Sequence, residues 1–304
     1  MRRPTHRRPG PAARASAAVA ALALLLAACT ATSPSPSPSP SPDESPDPEL
    51  GFRLRATMVQ ALPPEAVFTW MPTTLITDDL IALQQGAIPL IFPGPLVTPL
   101  IGVQLTEGAW TRIVDEARAA GILEGETDFT GGAMPPGAES GRLELVVDGR
   151  LVELTGDPSR VSFCGDTYCQ AEPGTPEAFA TFFGLLGNLP GWIGEGVGPP
   201  ADWAPDGYAV IVGPPPPDDQ GLAVAPVPWP FETPSATFGK SLTGDAARRC
   251  GIITGAEAAA FTPILGRANQ LTTWRDPAAA NPLGLTVRPL LPGDGDPCAG
   301  LVGG

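Results

Sequence analysis

The run Arg142-Leu-Glu-Leu-Val-Val147-Asp148-Gly149-Arg150-Leu-Val-Glu-Leu154 decides the fold. Two alternating apolar stretches flank Asp-Gly, the dipeptide that most readily takes the positive φ angles of a two-residue hairpin turn. In that register Leu143, Leu145, Val147, Val152 and Leu154 share one face, so the hairpin has a core side. Glu144 then stands opposite Glu153, which costs energy unless an arginine or another cation intervenes. The face carrying these two carboxylates is expected to meet solvent.

Working outward, Phe52-Arg-Leu-Arg-Ala-Thr-Met-Val59 alternates like a half-buried strand. Short apolar runs predict strands at Ala66–Trp70, Thr74–Thr77 and Leu90–Phe92, the last broken by Phe92-Pro93-Gly94-Pro95. Thr106 caps a predicted helix that runs to about Ala120, with Trp110, Ile113, Val114 and Ala117 on one face and Gly121 as its stop. A second helix starts from Thr175 with Pro176 in first position and buries Phe179, Phe182, Phe183 and Leu186. A third opens on Thr254-x-x-Glu257, a capping-box spacing, and meets a breaker at Pro263. Further strands are predicted at Tyr208–Val212, Leu222–Val227 and Leu283–Leu290. Helices interspersed irregularly among hairpins give an α+β fold with a mainly antiparallel sheet and about three helices, rich in loops and proline.

Proline and glycine number 40 and 36, which approaches the level of low-complexity chains. The apolar periodicity beyond residue 50 still argues for a folded domain over residues 51–304. Before it, Arg2 to Arg14 form a basic region and Ala15 to Ala28 an apolar stretch too short to span a bilayer. The stretch ends Leu26-Ala27-Ala28-Cys29, small residues followed by a thiol. Residues 1–28 therefore read as a signal peptide, and Cys29 as the residue that carries a lipid into the bilayer. Residues 29–50 read as a Ser-Pro tether, because alternating Ser-Pro favours extended polyproline conformations and buries nothing. The expected address is the extracytoplasmic face of a cell membrane.

The net charge is −14. Loss of the five arginines before Cys29 takes 18 basic residues to 13 against 32 acidic ones, a net of −19. Such a surface repels phosphate backbones and anionic headgroups, which excludes nucleic acid as a partner. His6, the one histidine, also precedes the cut. Histidine-based triads, metal sites and pH switches fall away with it.

Four cysteines remain, Cys164, Cys169, Cys250 and Cys298, and an even number in an exported domain predicts two disulfides. Three pairings are open. Cys164–Cys169 closing a short loop leaves Cys250–Cys298, while a redox role for the first pair is disfavoured by four intervening residues instead of two. Gly194-Glu-Gly-Val-Gly198 leads into Pro199-Pro200, not a helix, so it is no phosphate loop. Neither Ser235 nor Ser241 stands at Ser-x-x-Lys spacing from Lys240. Carboxylates at Glu124, Glu126 and Asp128, at Asp294 and Asp296, and at Glu144 and Glu153 are the remaining acid–base groups. They offer calcium binding or glycoside hydrolysis, and more simply a solvated acidic face. Trp192, Trp203 and Trp229 in proline-rich loops offer stacking for a sugar or partner, or fasten those loops to the core.

The lipobox, Phe92-Pro93-Gly94-Pro95 ahead of a helix ending Ala120-Gly121, and the Asp148-Gly149 hairpin together resemble a group of secreted lipoproteins of high-GC Gram-positive bacteria. So does the ending: Thr273-Trp274, then Arg288-Pro289-Leu290-Leu291-Pro292, then Cys298. The resemblance implies an address and an architecture and brings no activity. The expected function is a non-catalytic domain that binds an envelope protein or glycan, with no metal or cofactor. The alternatives are a carboxylate-dependent enzyme acting on glycans and a purely structural envelope protein.

Overall fold

The computed structural model describes residues 50–302, apart from 61, 89–91, 134–136, 166, 218–220 and 223–224. The signal segment, Cys29 and the Ser-Pro stretch lie outside the described residues, as does most of the strand expected at Leu90–Phe92. The described residues fall in one compact unit. None of the described helices is long and apolar enough to cross a membrane.

In chain order the first half contains β1 (Phe52–Val59), α1 (Pro64–Val67), β2 (Thr74–Thr77), β3 (Ile81–Gln85), β4 (Leu100–Leu105), α2 (Glu107–Ala119), β5 (Asp128–Phe129), β6 (Ser140–Val147) and β7 (Arg150–Gly156). The second half continues with β8 (Phe163–Cys164), β9 (Thr167–Tyr168), α3 (Pro176–Leu186), α4 (Leu189–Ile193), β10 (Val197–Asp202), β11 (Gly207–Gly213) and β12 (Val227–Pro228). It closes with β13 (Lys240–Leu242), β14 (Asp245–Thr254), α5 (Gly255–Leu265), β15 (Trp274–Arg275) and β16 (Gly284–Pro289). The fold is α+β, and the strand pairs are antiparallel except β5–β7 and β12–β15.

The hairpin forms in the predicted register, with Leu143 opposite Leu154, Glu144 opposite Glu153 and Leu145 opposite Val152. Asp148 and Gly149 have φ of 52° and 74°, as the turn requires. The hairpin sits within an eight-stranded sheet of order β10-β4-β3-β2-β1-β6-β7-β5. One face of this sheet buries Leu54, Ala56, Leu143, Leu145 and Leu154 against Ile113 and Ala117 of α2 and Phe179, Phe182 and Phe183 of α3. Thr106 and Thr175 accept capping bonds from Ala109 N–H and Ala178 N–H. Gly156 lets α3 come close, since a Cβ there would lie 2.2 Å from the Phe179 ring.

A second sheet runs β13-β14-β11-β16. Tyr208, Val210, Val212, Leu285 and Val287 pack against Phe261 and Leu265 of α5 and fully buried Trp274. Its other face carries Ala209, Ile211 and Cys250, packed with Phe68 and Cys298. Cys250 is bonded to Cys298 and Cys164 to Cys169, and two disulfides fit an oxidising environment.

The sheets are joined by an ionic seam. Asp294 accepts from Arg288 at 2.9 Å and from the Leu291 amide at 3.0 Å, and lies 3.6 Å from Arg55. Arg55 also donates to the Pro292 carbonyl at 2.8 Å and lies over the Phe52 ring. Burial pulls the Arg55 guanidinium below its ordinary range, against the raising effect of Asp294.

Three local expectations are corrected. Ala66 and Val67 belong to helix α1, not to a strand spanning Ala66–Trp70. Thr254 precedes α5 but its hydroxyl makes no capping bond, and Pro263 is accommodated inside the helix. The polar face of the hairpin meets solvent at Arg142 and Glu153, whose side chains are 49% and 54% exposed, but Glu144 is only 14% exposed, beside Arg142 and a cleft.

Candidate functional site

The segment Pro93–Pro99 is a strap lying between the two halves of the fold. Gly94 N–H donates to the Gln270 side-chain oxygen at 3.2 Å, and Gln270 N–H returns a bond to Gly94 C=O at 3.0 Å. Leu96 N–H reaches Ala268 C=O at 3.4 Å, and Gly86 N–H reaches Pro99 C=O at 2.8 Å. Fastened at both ends, the strap cannot fill the space beside it. A cleft opens on each side, and Pro95, Thr98 and Pro289 border both.

The first cleft, about 530 Å³, lies between the strap and the Ile211 face of the second sheet. The second, about 570 Å³, is walled by Trp203, Pro205, Tyr208 and Leu265 together with proline rings of the strap. Both volumes fall in the range of small-molecule sites. Trp203 reaches the second because it follows edge strand β10, whose Pro199 and Pro200 are tolerated at an edge. Its amide donates to Leu100 C=O at 3.0 Å. Gly102 leaves room beneath it, a Cβ there meeting Trp203 Cβ at 3.6 Å and Ile81 at 3.1 Å. The Trp203 indole N–H has no partner among the described residues. Tyr208 donates its hydroxyl proton to Thr262 Oγ1 at 3.0 Å, because the Thr262 hydroxyl is committed to Ala258 C=O at 2.9 Å. Asp202 is the one carboxylate on this cleft and has no partner among the described residues. The arrangement offers an aromatic face, a free donor and a single negative charge.

The other candidates have structural occupations. Trp192 meets Phe182 edge-on with centroids 6.1 Å apart, and Trp229 donates to Thr233 C=O at 2.9 Å within a Phe231–Phe238 cluster. All three pack against a core cluster, Trp203 against the one that holds Leu83 and Leu100, and only Trp203 of the three also borders the larger clefts. Arg142 stands between Glu144 and Glu153 and pairs with both, the intervening cation that the register demands. Glu126 accepts from the Thr127 and Asp128 amides, and the Thr130 amide holds Asp128 below the usual carboxylate range. Asp296 accepts from Cys298 N–H. Among the described residues no cluster of three or more His, Cys, Asp or Glu stands at metal-binding distance. Ser235 is buried on Asp276, and Ser241 accepts from Arg249.

The strap left a trace in the sequence as Phe92-Pro93-Gly94-Pro95, read as a strand breaker and as part of the resemblance, not as a cleft wall. Pro214–Pro217, a wall of the first cleft, was equally visible as a proline run. No family model, curated protein or solved structure matches the chain.

Proposed function

We propose that the chain is a binding domain held by a lipid on Cys29 at the extracytoplasmic face of the membrane, with the paired clefts around the strap as its binding site. The observation that carries the binding half is Trp203: a half-buried indole with its N–H unpartnered, walling an apolar cleft of about 570 Å³. A ligand with an apolar or ring body would cover the indole, satisfy its donor and set a neutral or cationic group near Asp202. The address rests on Leu26-Ala27-Ala28-Cys29 and agrees with the two disulfides.

A glycan hydrolase would need two carboxylates facing each other across a cleft. Among the described residues the two larger clefts carry Asp202 alone, and in the smaller third cleft Glu144 and Asp294 are each engaged by arginine. Photo-crosslinking from intact cells tests the binding reading. A benzophenone side chain at Ala204, on the cleft, should capture a specific species that the same group at Glu116, on α2, does not. Identical adducts from both positions, or none from Ala204, would refute the site.

A further inference from the structure

We propose that the ligand of the paired clefts is an extended peptide that adds as a strand to the free edge of β16; this rests on the binding site inferred above and names its occupant. β16 is the last strand of its sheet, bonded on one side only, to β11. The direction of its remaining main-chain groups follows from its neighbours in sequence. Leu290 N–H donates inward to Gly207 C=O at 2.9 Å, so Arg288, Thr286 and Gly284, two residues apart from it and from each other, also bond inward. Leu283 exchanges both its bonds with Trp274 on the outer side, at 2.9 and 2.8 Å. Leu285 and Val287 continue that outer series, and neither has an outward partner among the described residues. Pro289 is third in the series; its missing N–H leaves no gap in the β11 ladder, and it offers an added strand its carbonyl alone.

These main-chain groups face the first cleft. The Leu285 and Val287 side chains pack on the α5 side with Val210 and Val212. The cleft opens on the opposite, Ile211 face, yet both residues border it, so it is their backbone that forms the border. A row of N–H and C=O groups at two-residue spacing is complementary to one kind of ligand, another extended polypeptide backbone. Its alternate side chains would enter the space under Pro95 and Leu96, which Thr98, Gln270 and Arg248 also border. At Pro289 the edge reaches the second cleft, where Trp203 offers a ring face and a donor and Asp202 a lone negative charge. Charge complementarity therefore sets a basic side chain at the Asp202 end of the segment and keeps basic side chains from the other end, where Arg248 borders the first cleft.

The test uses the intact chain and a phage-displayed library of random octapeptides, followed by synthetic copies of the enriched sequences. Enriched peptides should carry one Lys or Arg at one end. N-methylation of the bound peptide should weaken binding more than tenfold at every second residue and little at those between. Hydrogen exchange at the Leu285 and Val287 amides should slow on binding, while exchange at Thr286 and Arg288 stays as it was. Trp203→Ala should weaken the same peptides. If no peptide is enriched, or exchange at Leu285 and Val287 is unchanged, strand addition is overturned. If, in addition, neutral oligosaccharides or small aromatic compounds bind and lose affinity in Trp203→Ala, the cleft stands and only the peptide falls. If nothing tried responds to Trp203→Ala, both fall.

Discussion

Replacing Asp294 with asparagine should cost about 3 kcal/mol of stability. The carboxylate is 8% exposed and is the acidic partner of Arg288 and Arg55, whose side chains are 18% and 16% exposed. Removing one member of a buried pair costs roughly 3–5 kcal/mol, because the partner charge stays behind without compensation. Asparagine keeps an acceptor for the Leu291 amide, and the remaining exposure of both arginines lets water take up part of the deficit, which sets the lower end. Asp115→Asn is the control: its pair with Arg118 has side chains 62% and 48% exposed, and exposed pairs contribute at most about 1 kcal/mol. Urea unfolding at neutral pH, compared at equal m, gives both values. In a unit of this size the Asp294 variant should also melt roughly 6–10 °C lower. A loss under 1 kcal/mol, or one equal to that of Asp115→Asn, would refute the claim that the seam joins the two sheets.

Gly156→Ala forces a methyl against the Phe179 ring and should destabilise by about 1–3 kcal/mol, read from the same titration. Loss of Cys250–Cys298, which spans 48 residues, should cost about 4 kcal/mol in the chain-entropy picture, against about 2 kcal/mol for Cys164–Cys169, which spans 5. Free thiols in a non-reducing peptide map would refute either bridge. Asp276 is held below the usual carboxylate range by the Ser235 hydroxyl, then by the Ala278 amide, with a smaller bond from the Ser235 amide. Since its folded value is the lower one, its stabilisation is complete above the unfolded carboxylate range near pH 4 and is lost as pH falls through the folded value. Asp276→Asn should therefore flatten acid unfolding below about pH 4 and leave its slope at neutral pH unchanged. Cys29→Ala should block lipid attachment and lipoprotein-type processing; membrane retention of that variant without a retained signal peptide, with no lipid mass on the wild type, would refute the anchor.

The hairpin and the helices α2 and α3 were legible because each is defined by residues close in sequence: a turn dipeptide, a cap and an apolar stripe. β14 was not. Half of its Asp245–Thr254 run is polar, since it meets β13, a three-residue edge strand, on one side and solvent on parts of both faces. β4 lay hidden behind a run of prolines that ends at Pro99, with Gly102 in its middle where close packing under Trp203 demands it. Glu144 is less exposed than its neighbours on the polar face because it pairs with Arg142 and borders a cleft, which the alternation of a hairpin does not encode. For the same reason the clefts were illegible. They arise where a strap is pinned by Ala268 and Gln270, about 170 residues further on, and no local pattern encodes that distance.

The most direct test of the binding site uses protein labelled with 15N at its six tryptophans and a pooled library of uncharged aromatic and alicyclic fragments. Trp203 lines the cleft and its indole N–H bonds to none of the described residues, whereas the Trp229 indole is already bonded to Thr233. Fragments that bind should shift the Trp203 indole signal saturably and leave those of Trp229 and Trp192 in place, and the shifted signal should vanish in Trp203→Phe. A library that moves no indole, or moves others while Trp203 stays still, would contradict the account.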